Sequence, residues 1–132
     1  MIVPVEEFTT PDPISIEETM GLEELLRLMS SNGIRHLPVM RDGELAGIIS
    51  DRDVRLFAGM PLEDRKGLTA GDIMTEDLLS IDASTPLDEA AMLMSAHKVS
   101  SLIVREDDQF LGIFTATDAL NALVEVLRGV EE

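Results

Sequence analysis

The stretch GIISDRD at 47–53 and its near-copy GIFTATD at 112–118 decide how this chain is built. Both read Gly, two apolar residues, Ser or Thr, two variable residues, then Asp. They stand 65 residues apart, and shifting the whole chain by 65 extends the match without a gap. Ser15-Ile16 falls on Ser80-Ile81, Leu28-Met29-Ser30 on Leu93-Met94-Ser95, and Asp53 on Asp118. Between 14–53 and 79–118, 13 of 40 positions are identical. A self-match of that length marks one supersecondary unit used twice. Each copy is too small to bury a good core alone, so the two are expected to pack on each other.

Working outward from the motif, each copy gives the same order of elements. A short apolar stretch, 13–16 or 78–81, is a strand candidate. A helix follows, with Leu22, Leu25, Leu26 and Met29 at helical spacing, matched by Leu87, Ala90, Ala91 and Met94. Thr85 is the expected N-cap of the second of these helices, with Pro86 at its first position. Asn32-Gly33 supplies a stop for the first. Residues 36–40 and 45–49 read as a hairpin around Asp42-Gly43, and the second copy repeats it around Asp107-Asp108. A last helix starts at Ser50 or Thr115. In the second copy it carries the stripe Leu120, Leu123, Val124 and Leu127, read as internal core or as a dimer face. The expected fold is α/β (α+β), a β-α-β-β-α unit twice, with domains at 1–58 and 72–132 and a breaker-rich linker at 59–71.

Composition narrows the function. The chain has 132 residues, 10 Lys plus Arg against 26 Asp plus Glu, and a formal charge of −16. Binding to a phosphate backbone rests on many cationic contacts, so nucleic acid is excluded as a general partner. An anionic membrane surface is excluded for the same reason. The 45% hydrophobic content argues against disorder. With no cysteine there is no thiolate chemistry and no Cys-based zinc site. His36 and His97 show no metal-ligand spacing. No apolar run nears the ~20 residues of a membrane span, and the first residues lack the pattern of a signal peptide. A cytoplasmic, soluble protein is expected. The surplus acid also suits either a high-salt surface or simple solubility.

Two readings of the repeated motif stand side by side. In one, Gly permits close approach to the backbone, and the hydroxyl and free amides of the helix start hold a phosphate. Asp53 or Asp118, one helical turn on, then takes ribose hydroxyls, while the apolar residue after Gly lies against a base. In the other, Ser/Thr with Asp three residues later is an ordinary capping box.

The two copies, PISI through DRDV and IMTE through TDAL, resemble a tandem pair of cystathionine-β-synthase (CBS) domains standing alone. The resemblance covers nearly the whole chain. It implies two pseudo-symmetric repeats packed through their sheets, with adenosine ligands (AMP, ADP, ATP and, in some members, S-adenosylmethionine) in clefts between them. It implies a disc-like homodimer that regulates a partner protein, and no enzymatic reaction. By position, Asp53 and Asp118 match the family's ribose-binding Asp. Ser50 and Thr115 match its phosphate-side hydroxyl, and Ile48 and Ile113 its adenine-facing apolar residue. Thr117 and its counterpart Arg52 fall near the ribose or phosphate. Residues 10–14 and 75–79, ending at Ile14 and Leu79, match the lead-in strand whose backbone reads the adenine edge. Arg35, His36 and Lys98 fall where phosphate contacts arise. The second copy has Ser100-Ser101 in place of Arg35-His36 and Ile103 in place of Pro38; the first change removes positive charge. The alternative to a sensor is a structural or interaction module whose nucleotide sites are vestigial.

Overall fold

Where each hairpin turns, the backbone enters left-handed territory. Asp42 and Gly43 have φ of 52° and 79°, and Asp107 and Asp108 have 51° and 62°. Two successive positive φ values define the primed turn whose twist matches that of its strands. The computed structural model describes residues 2–130. Its strands are β1 (Thr10–Pro11), β2 (Ile16–Glu17), β3 (His36–Arg41), β4 (Glu44–Ser50), β5 (Ser80–Asp82), β6 (Ser101–Glu106) and β7 (Gln109–Thr115). Its helices are α1 (Leu22–Asn32), α2 (Asp51–Ala58), α3 (Leu62–Arg65), α4 (Ala70–Ile73), α5 (Leu87–His97) and α6 (Ala116–Val130). A 3₁₀ turn covers Val5–Phe8. None of the described helices is long and apolar enough to cross a membrane.

The chain forms two compact units, and they do not follow the order of the repeats. One is Pro13–Leu78; the other joins Met1–Asp12 to Leu79–Glu132. The sequence reading has domains at 1–58 and 72–132; the folded units instead divide at 12/13 and 78/79, and the second takes in the first twelve residues. The last two positions of the second expected domain, Glu131 and Glu132, lie outside the described residues.

In the Pro13–Leu78 unit the sheet order is β2-β3-β4. β2 runs parallel to β3 and β3 antiparallel to β4, pairing Leu37 with Ile49. Leu22, Leu25 and Met29 of α1 are buried against Leu37, Val39 and Ile49. The spacing of those helical residues puts them on one stripe. Helix α1 starts at Gly21 without a side-chain cap and stops at Gly33 in the left-handed conformation. The expected linker is not bare loop. It holds α3 and the start of α4, where Thr69 and Asp72 form a capping box. Leu68 packs on this unit's core, and its carbonyl accepts the Leu22 amide at 2.9 Å.

The other unit has sheet order β1-β7-β6-β5. β5 is parallel to β6; β7 is antiparallel to both β6 and β1. Its core gathers Val5, Ala83, Ala90, Met94, Leu102, Val104 and Phe114. Helix α5 begins at Leu87 behind Pro86, with no side-chain cap. The Thr85 cap expected from sequence is therefore not used. The Thr85 amide instead closes a turn onto the Asp82 carbonyl at 3.0 Å, and Asp82 also holds the Ser84 amide at 2.9 Å.

The second hairpin places Asp108 where the first has Gly43. A Cβ at positive φ is strained, and Gly removes that strain. Asp108→Gly is expected to stabilise the chain by about 1 kcal/mol, seen as a rise of a few degrees in the thermal midpoint. Asp42→Gly provides the matching test in the first hairpin.

Candidate functional site

Both motif segments sit at a strand-to-helix junction, and both are complete capping boxes. At the start of α2 the Ser50 amide and hydroxyl donate to Asp53 Oδ2, each at 3.0 Å, and the Asp53 amide returns to Ser50 Oγ at 3.3 Å. At the start of α6 the Thr115 amide donates to Asp118 Oδ2 at 2.8 Å, and the Asp118 amide donates to Thr115 Oγ1 at 3.2 Å. The amide of Asp51 is also taken, by the Arg35 carbonyl at 2.8 Å, and that of Ala116 by the Ser100 carbonyl at 3.0 Å. The first turn thus keeps back only one amide without a partner among the described residues, that of Arg52 or Thr117. The open phosphate cradle expected from the motif is largely closed by the protein itself. What stays open is Oδ1 of Asp53 and of Asp118, which accepts no hydrogen bond among the described residues. A carboxylate oxygen in that state can take ribose hydroxyls.

The glycines of the motif have a structural task. A Cβ on Gly47 would stand 2.6 Å from Met74 Sδ and 2.9 Å from the Thr75 carbonyl oxygen. A Cβ on Gly112 would overlap the Thr10 carbonyl oxygen and lie 2.9 Å from the Thr10 carbonyl carbon. The groups that approach the glycines are therefore the chain's own: the lead-in segment at Gly112, and the lead-in segment with the Met74 side chain just before it at Gly47. Thr75 pairs with Ile48 through two backbone bonds of 2.9 and 3.0 Å, and Thr10 pairs with Ile113 in β1–β7. Thr10 and Thr75 are equivalent under the 65-residue shift, so each copy's lead-in completes the other copy's sheet.

The remaining sequence candidates divide between the units. Ile14, Arg35, His36, Ile48, Ser50, Arg52 and Asp53 lie in Pro13–Leu78; Leu79, Lys98, Ile113, Thr115, Thr117 and Asp118 lie in the other unit. His36 faces Ser50 across the β3–β4 ladder, as Ser101 faces Thr115. Arg35 and Arg52 are exposed and have no ion-pair partner among the described residues, whereas Arg41, Arg55 and Arg65 are paired with acids. Arg35, His36 and Arg52 flank one helix start together. At the other start their places are held by Ser100, Ser101 and Thr117. Lys98 closes α5 with a left-handed φ of 55°, where the first copy has Gly33. Ile48 and Ile113 lie opposite the core-facing Ile49 and Phe114 on their strands, yet are only 5% and 3% exposed.

One difference between the junctions escaped the sequence reading of function. The Ile103 amide donates to the Leu79 carbonyl at 2.9 Å. The equivalent position in the first copy is Pro38, which has no amide hydrogen. The equivalent carbonyl, that of half-exposed Ile14, accepts no amide among the described residues. The visible signal was a Pro inside a strand that β2 and β4 flank on both sides.

The chain matches the CBS domain family at residues 5–58 and 70–125 and belongs to that family. It is 31% identical to a CBS domain-containing protein of Dictyostelium discoideum, over 98% of this chain and 97% of that one. It is 35% identical to a homoserine O-acetyltransferase of Methanocorpusculum labreanum, of which it spans only 24%. Among solved structures, CBSX2 of Arabidopsis thaliana in complex with AMP superposes with a TM-score of 0.80 at 27% identity, covering 93% of this chain and 97% of that one. The CBS domain pair of protein MJ0100, in complex with 5′-methylthioadenosine and S-adenosyl-L-methionine, gives 0.77 at 25% identity and covers both chains fully.

Gly112→Ala forces the β1 backbone away from β7. It is expected to cost about 3 kcal/mol, in the range of overpacked interiors, and to free the segment before Asp12 for proteolysis. Limited digestion followed by mass measurement checks it; Gly129→Ala, in open space within α6, is the control and should neither destabilise the chain nor free that segment.

Proposed function

We propose that the chain is a cytoplasmic regulatory module that binds an adenosine-containing ligand at its strand-to-helix junctions and modulates a partner protein. We assign it no reaction. The observation that carries this reading is the pair of aspartates, Asp53 and Asp118, held alike by their capping boxes with Oδ1 left open in both. The boxes fix the carboxylates before any ligand arrives, which lowers the ordering cost of binding. Ligand chemistry is supported by the relatives solved with AMP, 5′-methylthioadenosine and S-adenosyl-L-methionine. A regulatory role is supported by the acetyltransferase, in which such a region accompanies a longer chain. Modulation requires that the ligand bind one state of the module better than another. With −16 on the protein, an anion gains from few local cations, so AMP should compete well with ATP.

The second reading, an interaction module with vestigial sites, draws on the same boxes, which are satisfied without a ligand. Thermal denaturation with AMP, ADP, ATP and S-adenosylmethionine at matched ionic strength separates the two. A ligand at 100 times its dissociation constant adds about 2.7 kcal/mol, and the sensor reading expects at least one such rise, reduced in Asp53→Asn or Asp118→Asn. No rise with any of the four leaves the interaction module.

We also propose a homodimer through the unit that contains α5 and α6. A groove of about 990 Å³ there is lined mainly by apolar residues, among them Val3, Leu87, Met94, Ala119, Ala122 and Leu123. Ala122 stands where the first copy has Phe57, which packs on its own core. Leu120, Leu123, Val124 and Leu127 stay 44–63% exposed beside it. These side chains are uncharged in a strongly acidic chain, and the groove's acids are Asp88 and Glu89 of the first turn of α5, so a second copy docking on the α6 stripe meets an apolar face. Light scattering is expected to give twice the 14.4 kDa chain mass, and Leu123→Glu to halve it. A wild-type monomer at all concentrations removes the dimer.

A further inference from the structure

The strand end before each hairpin turn carries opposite charge in the two copies. Arg41 closes β3, and the residue 65 further on, closing β6, is Glu106. Arg41 pairs with Glu18 at 2.6 Å and with Glu76 at 3.6 Å. Glu76 follows Thr75, so that pairing fastens the lead-in segment beside β4. Glu106 meets an acid instead. The Glu6 amide donates to the Ala83 carbonyl at 3.2 Å, and the Ala83 amide to the Arg105 carbonyl at 2.8 Å. This row brings Glu6 alongside the end of β6, its carboxyl group within hydrogen-bonding reach of that of Glu106. Glu6 holds the Glu106 carboxyl above the usual glutamate range, and burial, Asp107 and Asp82 add to the effect. The surroundings are acidic as well. Glu7 lies on the same 3₁₀ turn and Asp108 in the hairpin; α5, whose Leu87 amide bonds the Val3 carbonyl, brings Asp88 and Glu89; α6, which packs on the turn, brings Asp118 and Glu125. The bases on these elements are Arg105, opposite Asp82 in the parallel ladder, His97 in the last turn of α5 and Arg128 in that of α6. None of them forms an ion pair with Glu6 or Glu106 among the described residues.

We propose that residues 3–12 form an acid-closed strap: with Glu6 and Glu106 both ionised, repulsion loosens it from the Leu79–Glu132 repeat, and a proton shared between the two carboxyl groups closes it. Two carboxylates in contact cannot both ionise without cost. What the strap holds is substantial. Docking buries Val5 and pairs Thr10 with Ile113. Opening takes the Thr10 carbonyl from its place at Gly112 and leaves β7 as a bare sheet edge. The strap ends at Asp12, whose φ of 42° suits neither an aspartate nor a residue before proline, so closure also holds a strained turn. The closed strap binds a proton more tightly than the open one. The gain is therefore complete below the ordinary glutamate value and is lost as pH rises through the raised Glu106 value.

The test is amide hydrogen exchange on the full chain between about pH 4.5 and 8, each rate divided by that of an unstructured peptide at the same pH. The Val5 and Asp12 amides, bonded to the Thr85 and Leu111 carbonyls, report the strap; the Thr75 amide, bonded to the Ile48 carbonyl, reports the other lead-in. In the wild type, protection at Val5 and Asp12 is expected to rise about two- to fivefold on acidification, the scale of one exposed charge pair, with no rise at Thr75. Added salt at the alkaline end should raise it too, by screening the repulsion. Glu106→Gln should start high and respond to neither. Glu106→Arg, which gives the second copy the residue of the first, should start higher still and lose protection as salt is added. Wild-type protection that stays flat or falls on acidification overturns the strap, as does a rise kept in Glu106→Gln or a salt response of wild-type sign in Glu106→Arg. An equal rise at Thr75 marks a change in the whole chain and overturns it as well.

Discussion

The close approach of a lead-in backbone to a glycine in β4 or β7 is the constraint on which the rest of the structure depends. At Gly47 and Gly112 there is no room for a Cβ, because the Met74 side chain and the Thr75 carbonyl fill that space at the first and the Thr10 carbonyl at the second. That approach lets Thr75 bridge to Ile48 and Thr10 pair with Ile113. It sets the strand just before the helix start, and so the place of Ser50 and Thr115. A three-stranded hairpin-plus-helix unit gains there a further backbone contact that its own repeat does not supply.

The site is economical with polar groups. Each capping box fixes an aspartate by Oδ2 and spends most of the amides of the first turn on the protein itself. Helix-start amides are often thought of as anion receptors, but here the protein's own carboxylate and a neighbouring carbonyl claim them. What is left to a ligand is one carboxylate oxygen, one amide, the side chains around it and, in the first copy, one strand carbonyl. Around that opening the copies differ at single positions, such as Arg52 against Thr117.

Much of this was legible in the sequence because it is local. The 65-residue self-match gave the repeat, the helical stripe through Leu22, Leu25 and Met29 gave α1, and the positive-φ hairpins followed from Asp42-Gly43 and Asp107-Asp108. The capping boxes at Ser50 and Thr115 were named as one of two readings. The exchange of lead-in segments was not legible. No local propensity says that Thr10 pairs with Ile113, across most of the chain. For the glycines the sequence indicates close approach to the backbone, but not which group approaches. Helix α3 and the start of α4 fall within 59–71, where Gly, Pro and charge point to loop. Pro38 stands out in the sequence as a difference between copies, but its effect depends on a hydrogen bond that only the parallel pairings of β2 with β3 and of β5 with β6 reveal.

The connectivity also orders events in time as the chain leaves the ribosome. Residues 13–78 are contiguous, so that unit can close once Thr75 has emerged. The segment before Asp12 is made ahead of that unit but has no sheet to join until β7 exists, 103 residues after Thr10. Strand β1 thus waits for a partner made much later. During synthesis the N-terminal arm stays unpaired while the unit that follows it in sequence is already complete.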